Sequence, residues 1–290
     1  MRLKHLLVTL LAAVVCAIPS HAQILVSGYL ANPASTDSPF EYVQLVATQA
    51  IDFSVTNFSV VWANNGTATS NGWIAGGAVS YGFNLTSGSV ARGGVFYVGG
   101  SGKLINGSGS TDISSGNWIR TINTGTTAGD GFGTAASVGV MDNGGGSAGG
   151  IAVFTGLTGA ITASTTPIDA VFYGTAIGTA KPASGGYTLP DNDRYASAQG
   201  TFGNGTNTFL FSDPASAQFT SLVGSFDPEN NIWVTARTST LITLTASSAF
   251  SKIDSGLMVV PEPSAYATIF GAVAFGGVVW SRRRRAVSTK

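Results

Sequence analysis

The 290-residue sequence predicts an all-β fold, built as a sandwich or a barrel. Between Gln23 and Met258 no stretch has the sustained 3.6-residue apolar period of helices that pack on a core. Short runs of β-branched and aromatic residues recur instead, and several alternate with polar residues as half-buried strands do. Asn-Gly dipeptides, which suit tight hairpin turns because both residues tolerate positive φ, begin at Asn65, Asn71, Asn106, Asn143 and Asn204.

The predicted strands follow one another along the whole body of the chain. Their sequences are ILVSGYL from Ile24, FEYVQLVAT from Phe40, FSVTNFSVVW from Phe53, GVFYVGG from Gly94, IAVF from Ile151, IDAVFYG from Ile168, NTFLF from Asn207, and IWVTA with LITLT towards the end. Many short strands with turn signals between them are typical of sandwiches and barrels. We therefore expect one β-domain over residues 23–246.

The glycine-rich stretch over residues 123–150 is predicted to be a mobile loop around a weak strand at 136–140. Its GxG spacings resemble phosphate-binding loops, but no predicted helix follows to supply N-terminal amides. A loop is therefore the preferred interpretation. Residues 247–260 are predicted to be a linker.

Charge is sparse and unevenly distributed. Charged residues make up 10% of the chain, against about a quarter in ordinary soluble domains. The net charge is zero, yet residues 23–258 hold 13 acidic and seven basic side chains, because the remaining basic residues lie at the two ends. The body is thus acidic, near −6, and has no basic patch for a phosphate backbone. We infer that it does not bind nucleic acid.

The N-terminal 22 residues have the pattern of a secretory signal peptide. Arg2 and Lys4 precede an apolar run that ends before Pro19, and Ser20 and Ala22 supply small residues at the −3 and −1 positions. The alternative, a membrane anchor, is disfavoured because the run is short for a span. Cleavage is expected after Ala22, with export through the Sec pathway.

Cleavage would remove every Cys and His of the chain, namely Cys16, His5 and His21. The remaining protein forms no disulfide and has no Ser-His-Asp or Cys-His catalytic centre. It also has no Cys or His for a typical zinc site. We therefore predict no catalytic residues, and we expect no zinc site built from Cys and His.

The C-terminal region has three parts in order. Pro261-Glu262-Pro263 comes first, residues 264–280 carry no charge, and an arginine cluster follows, consisting of Arg282, Arg283, Arg284 and Arg285. A helix over residues 264–280 is about 26 Å long, just enough for a thin hydrocarbon core. Trp280 stands where an interfacial aromatic belongs, and the arginines are expected to stop transfer and remain cytoplasmic. The alternative is a buried helix with a solvated basic end.

This tail resembles the PEP-CTERM sorting signal of Gram-negative bacteria. The resemblance covers residues 261–290, with the motif at 261–263. It implies recognition and processing by an exosortase-type membrane protease, an inner-membrane precursor, and a final place at the cell surface or in the extracellular matrix. It further implies a biofilm context with exopolysaccharide as a partner. The resemblance therefore predicts where the protein is sorted and predicts no biochemical activity.

The body is similar to a lamin-tail-like domain. The similarity rests on ILVSGYLANP, on FEYVQLVAT with its acid Glu41 before the strand, on the later strands, and on Asp169 and Tyr173 in IDAVFYG. Trp233 matches as well. The acid that usually follows the double glycine is missing, and residues 181–226 lengthen the module. The resemblance implies an immunoglobulin-like β-sandwich that serves as an accessory module of envelope proteins.

Oxygen ligands cluster at two places, and calcium prefers such ligands. The candidates are Asp191, Asp193, Asp227 and Glu229. Neither cluster has EF-hand spacing, so Asx turns are the preferred interpretation and no cofactor is assigned. A glycosidase needs two carboxylates at a defined separation, and the scattered acids of this chain single out no such pair. Glu41 is expected at a solvated strand edge.

We therefore expect a non-enzymatic structural or adhesive protein. A carbohydrate-binding module is the first alternative, since sugars stack on exposed aromatic rings, and most of the available indoles are expected in the core. The candidates are Trp62, Trp73, Trp118 and Trp233. A glycosidase-like enzyme is the second alternative.

Overall fold

The computed structural model describes residues 24–63, 79–130, 140–141, 143, 148–161, 165, 167–174, 210–211, 214–228, 232–254 and 258–259. The predicted signal peptide, half of the glycine-rich stretch at 123–150 and the whole predicted sorting tail lie outside these residues. Among the described residues no helix is long and apolar enough to cross a membrane. The predicted span at 264–280 is one of the segments not described.

The described chain is mostly strand, which confirms the all-β prediction. The first seven strands are β1 Ile24–Leu30, β2 Tyr42–Ala47, β3 Ile51–Asp52, β4 Phe58–Ala63, β5 Val79–Leu85, β6 Ser89–Val90 and β7 Val95–Gly100. The other seven are β8 Trp118–Ile122, β9 Ala148–Thr155, β10 Asp169–Gly174, β11 Leu210–Phe211, β12 Gln218–Asp227, β13 Ile232–Thr243 and β14 Met258–Val259. The only helices in the described ranges are two 3-10 turns, Thr158–Ala160 and Phe250–Lys252.

The strands form two main sheets that share one core. The larger sheet has seven strands in the order β13-β12-β1-β2-β7-β8, with β14 added beside β12, and the smaller has five in the order β11-β10-β9-β4-β5. Strands β3 and β6 form a separate two-stranded ribbon. One buried apolar cluster takes residues from both main sheets. Tyr29 of β1 packs on Tyr173 of β10, with ring centroids 4.7 Å apart. The arrangement is sandwich-like.

Strands β1 and β2 are buried along their entire length. Their inner face contributes to the core between the sheets, and their outer face lies under a second apolar cluster that includes Leu30, Tyr42 and Ile253. Because both faces of β1 and β2 are covered, the polar side chains Ser27 and Gln44 on these strands are buried and bond to each other. Ser27 donates a hydrogen bond to the Gln44 side-chain carbonyl at 2.8 Å.

Several predicted strands are confirmed, and six strands were not anticipated, namely β3, β5, β6, β8, β12 and β14. The run from Ile24 coincides with β1, and those from Gly94, Ile151 and Ile168 lie in β7, β9 and β10. The separate runs IWVTA and LITLT form the single twelve-residue strand β13. Strands β5, β8 and β12 carry Gly, Asn, Arg or Ser between their apolar residues. Their apolar runs are short, so composition alone marks them weakly.

The segment at 247–254, which the sequence assigns to a linker, packs on the larger sheet. Ile253 is buried, and the Phe250 ring lies 5.7 Å from the Tyr97 ring. Tyr97 donates a hydrogen bond to the Asp254 carboxylate at 3.1 Å, and the Gln44 amide donates to the Ile253 carbonyl. The folded region therefore extends at least to Asp254, and β14 adds a parallel pairing to β12 at 258–259.

Candidate functional site

Most of the residues that the sequence singles out for function lie outside the described part of the chain. This holds for the cleavage residues Ser20 and Ala22, for the sorting motif Pro261, Glu262 and Pro263, for the arginines at 282–285, and for the calcium candidates Asp191, Asp193 and Glu229. Asp227 lies at the end of β12 with a half-buried side chain. In the described ranges no group of three or more His, Cys, Asp or Glu side chains is placed to hold a metal ion.

A buried ion pair joins the two sheets. Asp169 begins β10 of the smaller sheet and Arg237 lies in β13 of the larger one. Arg237 Nη2 is 2.5 Å from Asp169 Oδ1, and the Val26 amide donates to Oδ2 at 2.7 Å. The carboxylate therefore ties together three strands from both sheets.

Arg237 is held by stacking as well as by charge. Its guanidinium carbon lies 4.3 Å from the centre of the Trp233 ring, a cation–π distance. Within the described part of the chain its Nε and Nη1 atoms have no hydrogen-bond partner. Burial raises the pKa of Asp169 and lowers that of Arg237, while the charge of each partner opposes both shifts. The pair is closed to solvent and suited to a structural role rather than to acid–base catalysis.

Glu41 is completely buried, so its predicted position at a solvated strand edge is wrong. Both carboxylate oxygens lie 3.0 Å from the Met141 amide, which donates to them. Burial raises the pKa of Glu41 well above its usual value, the Met141 bond opposes this, and Asp37 adds to it. Asp37 accepts a hydrogen bond from the Asn143 side chain at 2.9 Å. The two acids thus fix the far end of the glycine-rich stretch.

Asp130 fixes the near end of the same stretch. Its carboxylate accepts two hydrogen bonds from Arg120 of β8, at 2.9 and 2.8 Å, and one from the Asn84 amide of β5 at 2.9 Å. The Asp130 amide donates to the Gly82 carbonyl at 2.9 Å. Asp130 therefore joins the edge strands of the two sheets, and the described start of the predicted mobile loop is held in place. The GxG spacings of that loop fall largely outside the described residues.

The described tryptophans are mainly core residues, in line with expectation. Trp62 and Trp233 are buried, so their rings are not available to stack on a sugar. Trp118 is half-buried on β8, lies 5.3 Å from the Tyr97 ring, and donates its indole N–H to the Ile113 carbonyl at 2.9 Å. Lys103 Nζ lies 5.7 Å from the centre of the Trp118 ring. Trp73 lies outside the described residues.

Comparison with known proteins identifies no relative. No protein-family model matches this chain, and no curated protein or solved structure does. The functional interpretation therefore rests on the chain's own residues and contacts.

Sequence reasoning singled out Asp169 and Tyr173 only through the lamin-tail resemblance, which predicted neither their burial nor their partners. The acids Glu41, Asp130 and Asp37 anchor loops rather than form a reactive pair, and sequence spacing gave no sign of this. Arg237 was missed because a lone Arg in a strand ordinarily lies at the surface. One signal was available: Arg237 follows Trp233 in a long uncharged strand, where a charge is unusual.

Proposed function

We propose that the chain is an exported, non-enzymatic protein of the cell surface or extracellular matrix, with a structural or adhesive role. Its C-terminal tail is a PEP-CTERM sorting signal that an exosortase-type protease recognises in the inner membrane. Its body is an immunoglobulin-like β-sandwich of the lamin-tail-like kind. Exopolysaccharide is the matrix component that this class of tail implies.

The order of features at the C-terminal end of the folded body carries the proposal. The pairing of β14 with β12 reaches Val259, and Pro261 stands two positions further on. A proline has no amide hydrogen and does not continue a ladder inside a sheet. The motif therefore begins two residues after the last described pairing of the sheet, and the uncharged run and the four arginines follow it in sequence. An extended motif next to a folded domain is a form that a protease can bind.

The proposed non-enzymatic role is supported by the contacts that the described acidic side chains make. Strongly perturbed carboxylates are the usual candidates for catalysis, and here Glu41 and Asp169 are the most deeply buried. Glu41 is bound by a backbone amide, and Asp169 by Arg237 and a second amide. A glycosidase needs two carboxylates that flank a substrate. Neither of these two is exposed to one.

The lamin-tail-like assignment is supported by the position of the residues that suggested it. Asp169 contacts Arg237, which stacks on Trp233, and Tyr173 packs on Tyr29 of the opposite sheet. Glu41 immediately precedes β2 and is buried, as Asp169 and Tyr173 are. Asp169 and Tyr173, which were matched on sequence alone, thus contact side chains of the opposite sheet, and this supports the resemblance.

The test is mass spectrometry of the exported protein from a host that has an exosortase, with an isogenic host that lacks it as control. We expect a mature form that begins after Ala22 and ends near the motif at 261–263. Glu262→Ala should leave a longer, membrane-held precursor. Replacing the four arginines at 282–285 with Ser should release unprocessed chain. Recovery of the intact Arg-containing C-terminus on the surface form would refute the sorting proposal.

A separate measurement tests the non-enzymatic part. The exported protein is incubated with a panel of polysaccharides and assayed for new reducing ends, and the same preparation is applied to a glycan array. We expect no turnover in the first assay. Turnover that Glu41→Gln does not abolish would indicate a reactive pair elsewhere, and tight array binding without turnover would favour the carbohydrate-binding alternative.

A further inference from the structure

The last described strand, β14, takes the place beside β12 that β1 leaves. Strand β1 pairs with β12 only through residues 28–29. Before them β1 has a bulge, a feature that bends a strand and ends its pairing, and the Val26 amide donates to the Asp169 carboxylate of the smaller sheet at 2.7 Å. Residues 225–226 of β12, whose other neighbour is β13, pair with β14 instead of β1. The two ends of the folded body are thus adjacent neighbours of one strand.

The chain is attached to the larger sheet at two successive places before the predicted sorting motif. The first is at 253–254, where Ile253 is buried and its carbonyl accepts a hydrogen bond from the Gln44 amide. The Asp254 carboxylate accepts one from the Tyr97 hydroxyl at 3.1 Å. The second is β14, whose described pairing with β12 is parallel and only two residues long. Segments with so few ladder bonds open at low free energy, so β14 is expected to open before the attachment at 253–254.

The length of chain between the folded body and the predicted membrane span depends on which attachment holds. Ser264, where the span is predicted to begin, stands five residues beyond Val259 and ten beyond Asp254. Extended chain covers about 17 Å over five residues and about 35 Å over ten. While β14 is paired, the motif is therefore confined to a short connection between the domain and the membrane. Release of β14 doubles the length of that connection.

A protease that acts on the motif needs the longer connection. Extended peptides are commonly bound through their backbone groups, as an added strand. The residues just before the motif, Met258 and Val259, are instead paired with Ser225 and Phe226 of β12. A segment that belongs to the sheet of its own domain does not enter the cleft of an enzyme at the same time. The paired state also holds the whole domain against the place where the enzyme would bind.

We propose that β14 is a releasable strand, which must leave β12 before the exosortase-type protease can bind the motif at 261–263. The attachment at 253–254 stays in place, so the body remains folded during processing. This inference rests on the proposed sorting function and adds a conformational step to it. The step delays cleavage while β14 is paired, because proteolysis of an opened segment follows the population of the open form.

The test locks β14 to β12 with a disulfide. In a Cys16→Ser background, which leaves no other cysteine, Ser225→Cys is combined with Met258→Cys. These two residues are paired neighbours, and adjacent strands lie within the Cα separation that a disulfide spans. The control combines Asp52→Cys with Ser89→Cys, a pair on the β3–β6 ribbon, which takes no part in the described C-terminal attachments.

The full chains are exported from a host that has an exosortase, and the appearance of the processed form is followed over time by mass spectrometry. We expect the oxidised lock between residues 225 and 258 to slow processing at least about tenfold, because it removes the open form. A reductant should restore the wild-type rate. The control disulfide between residues 52 and 89 should leave that rate unchanged, with or without reductant.

The outcomes separate the release step from the sorting proposal. Processing of the oxidised lock at the wild-type rate, or equal slowing by the control disulfide, would overturn the release step and leave the sorting proposal standing. Failure of the 225–258 pair to oxidise, where the 52–89 pair does, would contradict the pairing of β14 with β12 and the release step with it. A wild-type chain that is not processed in the exosortase host would overturn both.

Discussion

The Asp169 carboxylate on β10 and the Arg237 guanidinium on β13 pair across the two sheets at 2.5 Å, and both side chains are buried. A buried pair of this kind adds little stability relative to a well-packed apolar pair, but removing one partner leaves an uncompensated charge. The contact is therefore expected to fix how the two sheets are placed more than to raise the stability of the fold.

We predict that Asp169→Ala lowers the free energy of unfolding by about 3–5 kcal/mol, because Arg237 is left buried without a counter-charge. The double variant Asp169→Leu with Arg237→Met should be less destabilised than the single variant. Urea denaturation followed by tryptophan fluorescence measures both. Equal losses in the single and double variants would mean that the charge pairing is not what stabilises this junction.

Arg120→Met is the matched control for that series, because Arg120 pairs with Asp130 at the surface, with its side chain 41% exposed. Exposed pairs contribute about 0–1 kcal/mol. If Arg120→Met lowered the free energy of unfolding as much as Asp169→Ala, the Asp130 contacts that join β5 and β8 would contribute more than their exposure suggests.

Gly100→Ala should destabilise the fold. A Cβ placed at Gly100 would lie 2.0 Å from the Pro39 carbonyl oxygen, and this backbone atom has little room to shift. Overpacking of this kind costs about 1–3 kcal/mol or more. Gly159→Ala is the control, since a Cβ there meets nothing within 4 Å. Thermal unfolding of the two variants should show a clear loss for the first and little change for the second.

Glu41→Gln should gain stability relative to the wild type as the pH rises. Burial raises the pKa of Glu41 above its ordinary value of 4.5, so the folded state holds a proton that the unfolded state has released. The stabilising contribution of that proton is complete below the unfolded pKa and is lost as the pH rises through the folded pKa. Gln cannot titrate and does not suffer this loss.

The difference in unfolding free energy between Glu41→Gln and the wild type should change by up to about 1.4 kcal/mol per pH unit above pH 4.5. Urea titrations at successive pH values give this difference directly. The Asp37 carboxyl, whose pKa burial also raises, is present in both proteins and should largely cancel. Parallel stability curves would mean that Glu41 ionises normally in the folded protein.

Ile253→Ala should cost about 2–5 kcal/mol, because Ile253 is buried against the outer face of the larger sheet. Val55→Ala, at an exposed turn, should change the stability by less than about 0.5 kcal/mol. Chemical denaturation of the two variants compares them. A negligible effect at Ile253 would return the segment at 247–254 to the status of a linker.

Much of the strand content followed from local pattern. Alternation and β-branched runs marked β1, β7, β9 and β10, because a strand with a buried face must repeat its apolar residues every second position. Strand β12 was missed since Gly224 and several Ser and Thr residues dilute that signal. Its burial comes from neighbours on both sides, β1 and β13, which are distant in sequence.

The sequence by itself determined the all-β class, the acidic body and the absence of Cys and His after residue 21, and it predicts targeting segments at both ends. These depend on composition and on spacing within one segment. Only the tertiary structure decided that Glu41 is buried, that Arg237 meets Asp169, and that residues 247–254 belong to the fold. Such contacts join residues far apart in the chain, and burial of a charge is settled by which partner the opposite sheet brings to it.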